Sequence, residues 1–91
     1  MNQKRERLGI IFDILKIIRD NHNSIRFTPL LRSSNLSSSS FSEYHKELLS
    51  KNLIKEIIDA DGKKYITLTD NGFKYLEKYK HISDFIEEFD L

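Results

Sequence analysis

Hydrophobic and polar residues alternate along this 91-residue chain in periodic stretches that are separated by turn residues. Residues 6–21 repeat apolar side chains at intervals of three and four, which predicts an amphipathic helix. Apolar and polar side chains alternate over residues 25–27, which predicts a short strand. Thr28 followed by Pro29 then predicts the N-cap and the first position of a short helix over residues 29–34.

Seven of the ten residues in 33–42, SSNLSSSSFS, are serine, and the pattern that follows them decides their structure. Apolar side chains then return at helical spacing and predict a helix of about 13 residues over 38–51. The hydroxyl of Ser37 or Ser38 can accept a backbone N–H and so begin this helix. The serines are therefore predicted to form a turn and a first helical turn, rather than a linker. The side chains expected to face inward are Phe41, His45, Leu48, Leu49 and, in part, Tyr44.

Two short apolar stretches follow, and a turn segment joins them. Residues 53–58 and 64–68 are typical of strands, and the turn between them predicts a β-hairpin. Thr69 then predicts the N-cap of a last helix that reaches to about residue 89. A helix of that length spans about 30 Å, which is too long to lie wholly on so small a domain.

Composition limits the class of protein. The chain has 38% hydrophobic and 32% charged residues, which is typical of a folded domain, so residues 1–91 are expected to form one domain. Residues 6–68 would form its body and 69–90 its last helix. The absence of cysteine excludes disulfides and thiolate metal sites, and no cofactor is predicted. No signal peptide or membrane span is apparent, so a cytoplasmic location is expected.

Charge is distributed unevenly although the net charge is only +1. Residues 1–80 hold all 15 Lys and Arg and ten of the 14 acidic residues, a net charge of +5, whereas residues 81–91 carry −4. A basic body with an acidic end is compatible with an anionic partner. The histidines, His22, His45 and His81, lack the spacing of metal ligands, and His45 is expected to be a satisfied core residue.

The predicted order of elements, in which a helix-turn-helix precedes a hairpin, is that of a winged helix. Residues 28–54, TPLLRSSNLSSSSFSEYHKELLSKNLI, resemble the helix-turn-helix of small archaeal winged-helix DNA-binding proteins, including those of archaeal viruses and plasmids. Residues 65–76, YITLTDNGFKYL, resemble the signature of that family at the junction of the wing and the last helix. The sequence departs from the family at Asn52, which replaces the usual Gly, and at Ser34, which replaces a small apolar residue.

This resemblance implies a mostly helical α+β fold, a winged helix-turn-helix with a long C-terminal dimerisation helix. It implies a sequence-reading double-stranded DNA-binding protein, a homodimeric transcription regulator and not an enzyme, in the host cytoplasm if the protein is viral. The resemblance does not identify a small-molecule effector. The near-heptad spacing of the last helix also favours a dimer, although the helix could instead fold back on the first helix of its own chain. The predicted dimer contacts are Leu76, Tyr79, Ile82, Ile86 and Phe89.

A helix-turn-helix places the N-terminal part of its second helix in the DNA major groove. The residues predicted to face DNA from helix 38–51 are Ser38, Ser39, Ser40, Ser42, Glu43 and Lys46. The wing, residues 59–64, would reach the backbone or minor groove through Lys63 or Lys64, and Arg26 and Arg32 would bind phosphate. Lys4, Arg5 and Arg7 would assist them as a flexible arm, or would instead belong to an unstructured N-terminus. Two other functions stay open, a protein–protein interaction module without DNA binding and a non-specific DNA coat.

Overall fold

A computed structural model describes residues 3–91, with side chains from residue 6 onward. Three helices come first, and the third of them begins within the serine run. An antiparallel hairpin and a long helix follow. In chain order the elements are α1 Gln3–Asp20, α2 Phe27–Ser34, α3 Ser38–Ser50, β1 Ile54–Ile58, β2 Lys64–Leu68 and α4 Asp70–Glu88. In the hairpin Ile54 lies opposite Leu68, and Ile58 opposite Lys64. The order confirms the predicted winged-helix architecture.

Helix α2 begins earlier than predicted. Its N-cap is Arg26, which has extended backbone angles, so Thr28 lies inside the first turn and the predicted Thr28 cap is wrong. The predicted strand over residues 25–27 is reduced to one bridge, in which Ile25 exchanges backbone hydrogen bonds of 3.1 and 2.7 Å with Ile66 of β2. The bridge holds only Ile25 in an extended conformation, so α2 can begin at Phe27. The ring of Phe27 packs against α3.

The core lies where α1 packs against α2, β2 and α4. Helix α1 supplies four of its members at the predicted spacing, and α3 contributes two from its inner face. Burying aliphatic and aromatic side chains of this size stabilises the fold by roughly 1.5–3 kcal/mol each. The buried apolar residues are Ile11, Ile14, Leu15, Ile18, Ile25, Leu30, Phe41, Leu48, Ile54, Ile66, Leu68 and Leu76.

Gly72 allows the first turn of α4 to pass directly over the chain that enters the wing. A Cβ at this position would overlap the carbonyl oxygen of Leu53, which accepts the backbone N–H of Thr69 at 3.2 Å. Gly72→Ala is therefore expected to lower the free energy of unfolding by about 1–3 kcal/mol, even though alanine favours helix. Urea denaturation measures this loss. Asn71→Ala, at the exposed neighbouring position, is the control, and a Gly72→Ala protein as stable as the wild type would contradict the close approach.

Candidate nucleic-acid interface

The turn between α2 and α3 is ordered by local hydrogen bonds. Asn35 ends α2 in the left-handed conformation, with φ 59°, and its backbone N–H returns to the carbonyl of Arg32. Ser37 is the N-cap of α3, and its Oγ accepts the backbone N–H of Ser40 at 3.2 Å. The serine run is therefore a turn and a capped helix start, as predicted.

The residues predicted to face DNA from α3 lie on its outer side to different degrees. Ser38, Ser39, Glu43 and Lys46 are exposed, whereas Ser40 and Ser42 are half-buried. The opposite side packs inward as predicted, with Phe41 and Leu48 buried in the core and Tyr44, His45 and Leu49 half-buried. The side of α3 available to a partner is therefore short, polar and rich in hydroxyl groups.

An ion pair fastens α3 to α1. The guanidinium of Arg7 donates two hydrogen bonds to the carboxylate of Glu47, and Lys51 Nζ donates to the same group at 2.7 Å. Arg7 also lies over the ring of Tyr44, with 5.9 Å between its Cζ and the ring centroid. The prediction that Arg7 belongs to a flexible arm is wrong, because these contacts fix it on α1. The other two members, Lys4 and Arg5, lie outside the described side chains.

The tip of the wing is a tight turn that uses its own acidic residue. Asp59 Oδ1 accepts the backbone N–H groups of Asp61 and Lys63, both at 2.9 Å, and Gly62 supplies the positive φ of 81°. The side chains of Lys63 and Lys64 are left exposed beside this turn. The wing thus presents two lysines to a partner while one of its two aspartates is engaged by the backbone.

A groove of about 460 Å³ separates the start of α2 from the wing. Arg26, Arg32 and Lys64 line it, so three residues predicted from the sequence to bind DNA face one space. The exposed ring of Phe27 forms part of its wall. Glu56 of β1 is the one acidic residue among the groove-lining side chains of the described chain, and sequence reasoning missed it.

Glu56 connects this groove to α3 through His45. Lys64 Nζ lies 3.9 Å from one Glu56 carboxylate oxygen, and His45 Nε2 lies 3.6 Å from the other. The His45 ring packs between Phe27 and Phe41, with ring centroids 5.3 and 6.2 Å away. Desolvation by burial lowers the pKa of His45 below its ordinary value, against a smaller opposing effect of Glu56 and with a further lowering by Lys64.

His45 is packed inward as predicted, but it is not satisfied. Its Nε2 is buried, and it has no hydrogen-bond partner among the described residues. The distance of 3.6 Å to Glu56 exceeds that of a normal hydrogen bond. A buried nitrogen without a partner is costly, so His45 leaves an unmet hydrogen-bonding group at the junction of α3 and the wing.

The first half of α4 folds back onto α1 of the same chain. The rings of Tyr79 and Phe12 stack with centroids 4.5 Å apart, and Tyr75 Oη donates to the carbonyl of Leu8 at 2.8 Å. Burial raises the pKa of Tyr75 to about 12. Leu76 is only 4% exposed, so the assignment of Leu76 to the dimer stripe is wrong, because it is a core residue with almost no surface for a second chain.

The second half of α4 carries apolar side chains on its surface. Ile82, Phe85 and Phe89 are more than half exposed, and Ile86 is half-buried. The rings of Phe85 and Phe89 contact each other, with centroids 4.9 Å apart. We call Ile82, Phe85, Ile86 and the C-cap residue Phe89 the apolar end of α4. Large side chains clustered in this way on a small protein are typical of an interaction surface.

Residues 3–91 contain neither a membrane-spanning helix nor a cluster of metal-ligating side chains. None of their helices is long and apolar enough to cross a membrane. The same residues hold no group of three or more His, Cys, Asp or Glu placed to bind a metal ion.

Helices α2 and α3 form a helix-turn-helix, and the two-stranded wing follows it. A family model described as winged helix-turn-helix matches residues 4–87. The chain belongs to the winged helix-turn-helix family. The comparison with curated protein sequences finds no match.

Solved structures share the fold of this winged helix-turn-helix protein. F93 from STIV, a winged-helix DNA-binding protein, is 21% identical, with a TM-score of 0.68 over 78% of this chain and 83% of its own. MepR, a transcription regulator of the Staphylococcus aureus multidrug efflux pump MepA, is 23% identical, with a TM-score of 0.77 over 96% and 67%. Sso10a-2, a DNA-binding protein from Sulfolobus solfataricus, is 20% identical, with a TM-score of 0.65 over 91% and 80%. At these identities the likeness establishes the fold alone.

Proposed function

We propose that this winged helix-turn-helix protein binds double-stranded DNA as a homodimer and acts as a transcription regulator. The observation that carries the proposal is the groove between the start of α2 and the wing, which Arg26, Arg32 and Lys64 line together. Similar structures support it, since F93 and Sso10a-2 are described as DNA-binding proteins and MepR as a transcription regulator. Winged-helix regulators are generally not enzymes.

Helix α3 would enter the major groove with its serine-rich first turns. Serine hydroxyls bond to phosphates and to either kind of base edge, so Ser38 and Ser39 give little discrimination between bases. Glu43 accepts only from donors such as cytosine N4, and Lys46 reaches a phosphate or guanine. Sequence preference would therefore depend on a few contacts and on DNA shape, while phosphate contacts supply most of the affinity.

The wing and the groove would hold the DNA backbone on either side of α3. Lys63 is exposed at the wing tip and would reach the backbone or minor groove, while Arg26, Arg32 and Lys64, which line the groove, would contact phosphate. Glu47, the acidic residue of α3 nearest the C-terminal end, is already neutralised by Arg7 and Lys51. That pairing removes one source of repulsion from a body whose net charge is only modestly positive.

The second copy would pack on the apolar end of α4. Ile82, Phe85 and Phe89 are exposed there by 53%, 57% and 57%, and a two-fold contact between two such helices would remove all three from water. Tyr79 and Leu76 would support the helix from within each protomer instead of crossing to the partner. Two recognition helices would then enter successive major grooves, so the operator should be a pseudo-palindrome with half-sites about one helical turn apart.

Charge removal in the groove, at Arg32, and on the exposed side of α3, at Lys46, tests the proposed contacts. Arg32→Ala and Lys46→Ala are each expected to weaken duplex binding and to reduce the slope of log affinity against log salt by about one, since each removes one phosphate neutralisation. Fluorescence anisotropy across a salt series measures both quantities. Lys16→Ala, an exposed lysine of α1 outside the proposed interface, is the control. An unchanged slope in both interface variants would contradict the assignment.

A protein–protein interaction module is the second candidate function. The observation that favours it is the end of α4, where the apolar side chains stand among Asp84, Glu87 and Glu88. A monomeric protein that fails to bind duplex DNA would support this candidate, because the same apolar surface would then await a different partner.

A further inference from the structure

Glu56 stands between two basic side chains at the base of the wing, and only one of them is charged under all ordinary conditions. Lys64 Nζ is 3.9 Å from its carboxylate, and the Lys64 side chain is 57% exposed toward solvent. His45 Nε2 is 3.6 Å from the other carboxylate oxygen and has no hydrogen-bond partner within the described chain. The carboxylate therefore has one exposed basic neighbour, Lys64, and one largely buried basic neighbour, His45.

The surroundings of His45 identify the groups that set its charge. From β1 it faces Glu56 and from β2 Lys64, while α2 presents the apolar ring of Phe27. Arg26 and Arg32 of α2 line the groove that Glu56 and Lys64 also line. On α3 itself the next residue, Lys46, is exposed. Burial is the main cause that disfavours the imidazolium, whereas Glu56 favours it and Lys64 disfavours it while the lysine stays in place.

We propose that the groove seats a DNA backbone phosphate, that this phosphate draws Lys64 away from Glu56, and that His45 takes up a proton to become the cation beside Glu56. The proposal rests on the proposed DNA binding and adds its regulation by pH. A phosphate attracts Lys64 more strongly than an exposed carboxylate at 3.9 Å does, because it carries the charge of the duplex with it. Glu56 would then repel the phosphate unless another cation neutralises it.

Protonation of His45 supplies the second cation that neutralises Glu56, and this cation belongs to the protein itself. The imidazolium Nε2–H donates to Glu56 and gives the buried nitrogen the partner it lacks. The new bond joins α3 to β1, so recognition helix and wing are held together when DNA is bound. The pKa of His45 is then higher in the complex than in the free protein, and the complex holds one more proton. Affinity must consequently rise as pH falls between these two pKa values.

Duplex affinity measured by anisotropy at constant salt from about pH 8 to about pH 5 tests this linkage. The wild type is expected to bind more tightly by up to about tenfold per pH unit within the window where one proton is taken up. His45→Gln and Glu56→Gln should each flatten the profile, and Glu56→Gln should also bind more tightly near pH 8, because it removes a negative charge from the groove. His22→Gln and His81→Gln, at exposed positions, should keep the wild-type slope.

NMR titration of the His45 ring in the wild-type protein, free and bound to duplex, tests the same proposal without any substitution and therefore without any effect of a substitution on folding. A His45 pKa that is higher in the complex supports it. Salt-dependent binding with a flat pH profile, an unshifted His45 pKa, or a full slope in Glu56→Gln overturns the linkage and leaves DNA binding intact. A folded protein that binds no duplex at any pH overturns the proposed function and this inference together.

Discussion

Phe85→Asp is expected to convert the protein to a monomer and to weaken duplex binding by roughly 100-fold or more. Phe85 is 57% exposed on the apolar end of α4 and its ring contacts that of Phe89. In a two-fold dimer each copy would bring an aspartate into an apolar contact, where desolvation of two like charges opposes association. The two recognition helices would then bind independently, and the gain from engaging both half-sites would be lost.

Light scattering coupled to size exclusion gives the mass of this variant, and anisotropy gives its affinity. Phe73→Asp is the matched control, because Phe73 lies on the same helix, is 42% exposed and stands in the first turn, away from the apolar end. The control should keep the oligomeric state of the wild type. A Phe85→Asp protein that stays dimeric would show that the apolar end of α4 does not form the interface.

Phe41→Ala is expected to lower the free energy of unfolding by about 3–5 kcal/mol. The ring is fully buried and contacts Phe27, with centroids 5.1 Å apart, so its removal leaves a cavity under α3. A domain of this size is stabilised by only about 5–15 kcal/mol, so this loss would be a large fraction of its free energy of unfolding. The loss would also free Phe27 and His45, which pack on the same ring.

Urea denaturation followed by circular dichroism measures the effect of Phe41→Ala. Phe73→Ala makes the same change at a position that is 42% exposed, and its cost should stay below about 1 kcal/mol. A Phe41→Ala protein that loses no more stability than Phe73→Ala would show that α3 is not anchored by this ring.

Local rules predicted those parts of the fold that short-range contacts determine. Ser37 caps α3 through a bond to a residue three positions away. The start of α2 escaped prediction because it depends on Ile25, whose bonds to Ile66 join residues far apart in the chain. No pattern within residues 25–29 records that bridge.

The candidate site divides in the same way. Helical spacing was enough to place Ser39 and Lys46 on the outer side of α3 and Phe41 inside. It gave no sign that Glu56 would stand between Lys64 and His45, because that cluster draws on three elements. Spacing also assigned Leu76 and Tyr79 to one stripe with Ile82, Ile86 and Phe89, although Leu76 is buried in the core and the Tyr79 ring stacks on α1 of the same chain.

Binding of the wild-type protein to a labelled duplex tests the central claim most directly. The duplex would come from the region upstream of the protein's own coding sequence, with a scrambled duplex beside it, both measured by anisotropy across a salt series. The account predicts tighter binding to the upstream duplex and a steep loss of affinity with added salt. Equal affinity for both duplexes would contradict sequence reading, and no binding to either at low salt would contradict the proposed function.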